Sequence, residues 1–344
     1  MATVDTLDTA KLTAYLEANV EGFHGPITAE KFSGGQSNPT FRVTAESGQY
    51  VLRRQPPGKL LKSAHAVDRE YRVLAALKNS DVPVANVYHL CEDRDVIGSM
   101  FYLMEYCQGT VYWNPALPEA ADNAMRSAMY DTMNRTMAAI HKVDLNKTGL
   151  SDYGKPGNYF ERQYSRWSSQ YRASEMQKNP GMDELIVWLG KHMPADDGRV
   201  SLVHGDFRLD NLMFAVDRPE VIAVLDWELS TLGHPYADLS YQCMHLRMPQ
   251  GLGALDGLQG VDRESLGIPT EQDYINSYCQ RMGIDQISHW AFYLAFSFFR
   301  LAAIAQGVAK RAAQGNASST QAGKMGQYVE PLAQMALSVI RENS

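Results

Sequence analysis

Two regimes of hydrophobic and polar patterning divide the chain. From Phe32 to about Cys107, short apolar runs alternate with turn signals, as strands do. FSGGQSNPTFRVTAE and QYVLRRQ flank the Ser47-Gly48 turn and predict a hairpin. In SAHAVDREYRVLAALKNS, the residues Ala66, Val73, Leu74 and Leu77 recur at helical spacing and put Glu70 on the same face. A carboxylate facing a core needs a partner there. NVYHLCE and SMFYLMEYC predict further strands, and an ordinary helix over about 7–20 leads the chain. From Pro118 onward the pattern is mostly helical. Met125, Met129, Met133, Met137 and Ile140 mark one side of a long helix, a ladder that reads as core filling. The boundary falls near Gln108-Gly109, giving expected domains of 1–108 and 109–344. Two β runs, 211–216 and 221–225, interrupt the helical half around the turn Asp217-Arg218-Pro219, and the Gly-rich stretches 249–269 and 315–326 read as exposed loops.

Composition adds limits. With 344 residues, 45% hydrophobic and 21% charged, the chain sits near globular averages, which excludes disorder, collagen-like repeats and coiled coil. A net charge of -7 argues against a nucleic-acid partner and against binding to an anionic membrane. Cys91, Cys107, Cys243 and Cys279 form no CxxC pair, so neither zinc nor a disulfide framework is indicated, and a cytoplasmic location fits. The N-terminal MATVDTLDTAKLTAYLEANV lacks the basic and apolar regions of a signal peptide. The most apolar stretch, 287–299, is shorter than the ~20 residues of a membrane span and reads as a buried helix. Oligomeric state has no signature in the sequence.

Candidate chemistry concentrates in LVHGDFRLDNLMF and VIAVLDWELSTLGHPYADLS. There His204, Asp206, Asp210, Asn211, Asp226 and Asp238 flank apolar strands, an arrangement that is costly unless the carboxylates meet something cationic. Oxygen donors such as Asn211 and Asp226 suit a hard cation, Mg²⁺, which takes one or two carboxylates and completes its shell with phosphate and water. That donor set points to nucleotide triphosphate chemistry.

HGDxxxxN followed by an apolar strand ending in Asp226 resembles the catalytic loop of aminoglycoside phosphotransferases, choline kinases and their relatives. VLRRQPPG, LVHGDFRLDNLMF and VLDWELSTLGHPYADLSY are most similar to the branch that also occurs as the kinase-like domain of multidomain acyl-CoA dehydrogenases. The resemblance implies an α+β, protein-kinase-like two-lobed fold: a small N-terminal antiparallel lobe with one key helix, and a larger helical C-terminal lobe. It implies an ATP- and Mg-dependent kinase acting on a small-molecule hydroxyl. Asp206 would accept or orient the hydroxyl proton, Asn211 and Asp226 would hold Mg²⁺, and His204 and Asp238 would brace the loop. Gly34, Gly35, Gln36, Ser37 and Asn38 would form a phosphate-binding turn, and the backbone of Glu105 and Cys107 would meet adenine. The family lysine is replaced: its place falls on Arg53, with Arg54 the alternative, since strand alternation lets only one point inward and the apolar-apolar-cation order of the resemblance selects Arg53. Glu70 is the partner expected for Arg53.

The acceptor is read from charge. No carboxylate lies between Asp285 and Glu330, where Arg300 and Arg311 occur, and NYFERQYSRW aligns Arg162 with Arg166 on one helix face. These four arginines favour an anionic acceptor, and the family context suggests a hydroxy acid or hydroxyacyl thioester. An aminoglycoside or amino-alcohol kinase, and a catalytically weak nucleotide-binding module, are the alternatives.

Overall fold

In a computed structural model, which describes residues 7–32, 38–56, 65–252, 255–314 and 322–343, the elements run α1 (Thr9–Asn19), β1 (Thr28–Lys31), β2 (Thr40–Ala45), β3 (Gly48–Arg54), α2 (Val67–Leu77), β4 (Val87–Cys91), β5 (Phe101–Glu105), β6 (Thr110–Val111), α3 (Asn123–His141), α4 (Tyr159–Ser174), α5 (Pro180–Lys191), β7 (Ser201–Val203), β8 (Leu212–Phe214), β9 (Val221–Val224), β10 (Thr231–Gly233), α6 (Tyr236–Arg247), α7 (Glu271–Met282), α8 (Trp290–Ala313) and α9 (Val329–Glu342). By mutual contacts they form two compact units. The N-terminal unit takes the residues up to Val111 together with Asn146–Leu150 and Asn211–Leu229, and the C-terminal unit takes the remainder.

The N-terminal unit is built on an antiparallel five-stranded sheet of order β1-β2-β3-β5-β4. The expected hairpin is β2–β3, with Thr40 opposite Arg53 and Ala45 opposite Gly48. The β1 strand has no counterpart in the sequence pattern, because it is almost wholly exposed and carries no apolar alternation. Helix α2 buries Glu70, Val73, Leu74 and Leu77, the face that its spacing predicts. Helix α1 covers the opposite side of the sheet, packing Leu12 and Leu16 with Phe41, Val43, Leu52, Phe101 and Leu103. That cover corrects the expectation that only one of the paired arginines is inward. Both point into packed surroundings, on opposite faces: Arg53 keeps 13% side-chain exposure, and the fully buried Arg54 guanidinium sits 5.3 Å from the centre of the Phe41 ring. A second sheet, β6-β8-β9, belongs to this unit, so Asn211 and Asp226 group with Arg53 although they lie within the helical half of the chain.

In the C-terminal unit the Met ladder of α3 is core: Met129, Met133, Met137 and Ile140 are fully buried. Strands β7 and β10 pair antiparallel over three residues, too short for a period-2 pattern to be visible in the sequence. The apolar stretch expected to be too short for a membrane span runs, from Trp290 on, into α8, whose 24 residues are long and apolar enough to span one by length and composition. Its role rests on burial instead, since 83% of that window is buried inside the protein. The segment 249–269 is not the simply exposed loop its glycines suggested, because Leu255, Leu258 and Ile268 are buried. Of 315–326, residues 315–321 lie outside the described residues and Ala322–Tyr328 forms a 3₁₀ helix.

If α1 is an integral layer of the N-terminal unit, Leu16→Ala will lower stability by about 2–5 kcal/mol in urea denaturation. A loss below about 1 kcal/mol would show that α1 is dispensable to the fold.

Candidate active site

In the N-terminal unit one guanidinium ties three elements together. Strand β3 presents Arg53 towards α2, and its Nε lies 2.7 Å from a Glu70 oxygen. Its NH2 group donates to Asp226 Oδ1 at 2.7 Å, just beyond the end of β9. Glu70 is almost fully buried and gains two more donors, Asn38 Nδ2 at 2.7 Å and the Tyr102 hydroxyl at 3.2 Å. Burial would lower the Arg53 pKa, but Glu70, Tyr102 and Asp226 outweigh it and push it up, so Arg53 stays charged. Burial raises Glu70, with Arg53 and the Tyr102 hydroxyl pulling it back.

Asp226 has a left-handed backbone, φ 59°, unusual for a residue with a side chain. That turn directly after β9 aims its carboxylate at Arg53, while the side chain keeps 37% exposure. Asn211 ends a 3₁₀ turn leading into β8 and is half-buried, and its carbonyl accepts the Leu225 N–H at 2.8 Å. Among the described residues no cluster of three or more His, Cys, Asp or Glu is poised around a cation. Asp226 offers one accessible carboxylate and Asn211 one amide, donor types that would suit a hard cation completing its shell with phosphate and water.

Among the other expected nucleotide contacts, the Asn38 side chain and the Glu105 N–H are spent within the protein. Gly34, Gly35, Gln36 and Ser37 lie outside the described residues. Asn38 is buried, with its amide spent on Glu70 and its carbonyl oxygen 3.1 Å from His65 Nδ1, so its side chain supports the ion pair rather than facing a ligand. The Glu105 N–H donates to the Asn86 carbonyl and its carboxylate accepts from Asn86, which removes that N–H as an adenine contact. Cys107 is half-buried, and burial together with Glu105 pushes its thiol up to about 11.

In the C-terminal unit, β7 delivers His204, Gly205 and Asp206. Asp238, in the first turn of α6, is almost fully buried beneath them. Its Oδ2 accepts the His204 N–H at 2.6 Å and its Oδ1 accepts the Gly205 N–H at 2.8 Å. His141 Nε2 lies 3.2 Å from Oδ2, and the Tyr278 hydroxyl lies 2.7 Å from Nδ1 of the same ring. Burial alone would raise Asp238, yet the His141 hydrogen bond, the neighbouring His204 and the Gly205 N–H hold it below the ordinary carboxylate value.

Gly205 has φ +85°, a conformation that favours glycine, and it turns the chain into Asp206. The Asp206 carboxylate is likewise low: burial raises it, but Arg208, a hydrogen bond from the Tyr241 phenol, His204 and Arg300 together outweigh that. Asp206 is thus ionised at neutral pH. Asp210 forms an ion pair with Arg208. Of the four arginines nominated for the acceptor, Arg162 donates to the Lys155 and Pro156 carbonyls. Arg300 is buried and donates to the Gly205 carbonyl at 2.7 Å, while Arg166 and Arg311 are exposed.

Tyr241, Arg208, His141 and Tyr278 were not singled out in the sequence. Tyr241 had a usable signal, lying three residues after Asp238 and therefore on the same face of α6. Arg208 stands two residues from Asp206. His141 and Tyr278 reach Asp238 from distant helices and carry no local signal.

The family model for phosphotransferase enzymes (APH) matches residues 28–268. The mouse acyl-CoA dehydrogenase family member 10 is 49% identical over 312 residues, covering 91% of this chain and 29% of that protein. The chain spans less than half the length of the curated relatives it matches. Among solved structures, a Ralstonia eutropha protein provisionally assigned as an aminoglycoside phosphotransferase is 48% identical, with TM-score 0.89 and coverage of 98% of this chain and 99% of its own. Choline kinase from Cryptosporidium parvum shares the fold at 11% identity, with TM-score 0.65 and coverage of 97% and 96%.

Because Asp238 is lower in the folded state than in the unfolded chain, its stabilisation is complete above the unfolded value near ~4 and is lost as pH falls through the folded value. Urea denaturation from pH 6 down to 2 is expected to show a steeper acid loss in the wild type than in Asp238→Asn, by up to about 1.4 kcal/mol per pH unit. Parallel curves would contradict that assignment.

Proposed function

The chain belongs to the phosphotransferase enzyme family and has its protein-kinase-like α+β fold, and from that premise we propose that it is an ATP- and Mg-dependent kinase of a small-molecule hydroxyl. The observation that carries the reading is the Arg53 bridge to Glu70 and Asp226. It preserves a fixed positive charge beside an accessible carboxylate, the pairing that a nucleotide triphosphate and its cation require. Arginine supplies it through different nitrogens of one planar fork, a geometry lysine lacks.

Asn211 and Asp226 would hold the Mg²⁺, which when bound neutralises charge on the phosphate oxygens. The acceptor oxygen attacks the γ-phosphorus, the bond from that phosphorus to the β–γ bridging oxygen breaks, and ADP carries away the electron pair. Asp206 orients the hydroxyl and receives its proton. A carboxylate held below its ordinary value is a weak base, so its larger contribution is orientation, with the proton leaving late.

For the acceptor we favour a hydroxy acid or hydroxyacyl thioester. The exposed Arg166 and Arg311 and the similarity to acyl-CoA dehydrogenase family members support an anionic acyl compound. A cationic acceptor, an aminoglycoside or amino alcohol, is supported by a cleft of about 250 Å³ in the C-terminal unit, where Tyr159, Phe160 and Tyr293 stand with Glu161 and Asp196.

The test is transfer of labelled γ-phosphate from Mg-ATP to a panel of hydroxy acids, hydroxyacyl thioesters, amino alcohols, sugars and aminoglycosides. Label is expected in the anionic acyl class, with at least ~100-fold less in Asp206→Ala. Label in amines or aminoglycosides alone would overturn the acceptor class. Nucleotide binding without any transfer would favour a binding module, and absence of nucleotide binding would overturn the kinase reading.

A further inference from the structure

Arg300 lies in the middle of α8, the most apolar helix among the described residues, and a buried guanidinium there needs a reason. Its NH2 donates to the Gly205 carbonyl at 2.7 Å. The N–H of the same glycine is held by Asp238 at 2.8 Å. Both polar backbone groups of Gly205 are therefore anchored, one from α6 and one from α8, at the residue whose φ of +85° sets the direction of the chain into Asp206.

The anchor is itself fixed. The Arg300 guanidinium carbon lies 5.9 Å from the centre of the Trp167 ring on α4 and 5.4 Å from that of Tyr241 on α6. Tyr241 is also the phenol that hydrogen-bonds Asp206. Either side of Arg300, α8 is tied down: the Ser297 and Ser240 hydroxyls are 2.9 Å apart, and Gln306 Nε2 donates to the Ser174 carbonyl at 2.8 Å. A planar cation between ring faces, with its helix pinned on both sides, is preorganised to hold one carbonyl in one orientation.

We propose that Arg300 is a positioning residue for phosphoryl transfer, fixing the Gly205–Asp206 peptide so that the Asp206 carboxylate is presented in its working orientation. This rests on the kinase reading for its consequence in turnover, but the peptide clamp can be measured without it. Asp206 also faces charged or titratable groups from its own loop (His204, Arg208, Asp210) and from α6 (Tyr241, His245). Removing Arg300 thus leaves Asp206 among other partners and changes mainly its placement.

The test compares wild type with Arg300→Met and Arg300→Lys, using Mg-ATP turnover to water as the activity probe and hydrogen exchange at the Gly205 and Asp206 amides as the structural one. Arg300→Met is expected to lose about 10- to 100-fold in kcat with KM for ATP changed less than about 3-fold, and to exchange those amides at least about 10-fold faster. Arg300→Lys keeps the charge without the planar fork and is expected to recover only part of both. A packing role alone would lower the melting temperature with kcat and local exchange unchanged, and that result overturns the proposal, as does full recovery of both by lysine. If Arg300→Met does not fold, Trp167→Leu removes one clamping ring and is expected to accelerate the same amides; unchanged exchange there also overturns it. Absent ATP turnover in the wild type would count against the kinase reading, and the exchange data would still decide the clamp.

Discussion

A carboxylate removed from water must be met by donors or cations, and two such carboxylates organise this protein. Glu70 and Asp238 are 2% and 1% exposed, one in each compact unit. Each would cost several kcal/mol if left alone. Each is met by groups from other parts of its unit: Arg53, Asn38 and Tyr102 around Glu70, and His141 with the N–H groups of His204 and Gly205 around Asp238. Satisfying the charge therefore fixes the relative placement of distant segments. Around Glu70 it fixes β3 against α2. Around Asp238 it fixes the loop carrying Asp206 against α3 and α6.

The arginine in place of the family lysine is explained by the same requirement. An ammonium is a point charge, whereas a guanidinium offers separate nitrogens in a rigid plane. Here Nε forms an ion pair with Glu70 and NH2 donates to Asp226, so one side chain bridges an almost fully buried carboxylate and an accessible one. Asp226 meets that fork only from a left-handed backbone, a local strain retained where a carboxylate must be aimed.

Much of this was legible in the chain itself. Glu70 on the apolar face of α2 announced a buried partner, and the polar motifs marked Asn211 and Asp226 in one unit and Asp206 and Asp238 in the other. What escaped has physical causes. Strands β7 and β10 are three residues long, and β1 is exposed, so none carries a readable alternation. Arg54 looked like a surface residue because nothing local reveals that α1 covers its side of the sheet. Asn38 looked like part of a phosphate turn, yet its amide is needed by Glu70. Arg300 looked available to an anionic acceptor, because sequence shows its charge but not the Gly205 carbonyl that takes it. Apart from Arg208 and Tyr241, which lie close in sequence to Asp206 and Asp238, the contacts missed are long-range ones, set by packing rather than by local spacing.

Nucleotide binding as proposed depends on Arg53 supplying the cation that meets the phosphates. The direct measurement is calorimetric Mg-ATP binding to wild type, Arg53→Lys and Arg53→Met, each checked for a native circular dichroism spectrum. Affinity is expected to fall at least about 10-fold in Arg53→Met, with lysine retaining part of it, since loss of a charged hydrogen bond is worth about 1.5–3 kcal/mol. Folded Arg53→Met that binds Mg-ATP as tightly as wild type would contradict it.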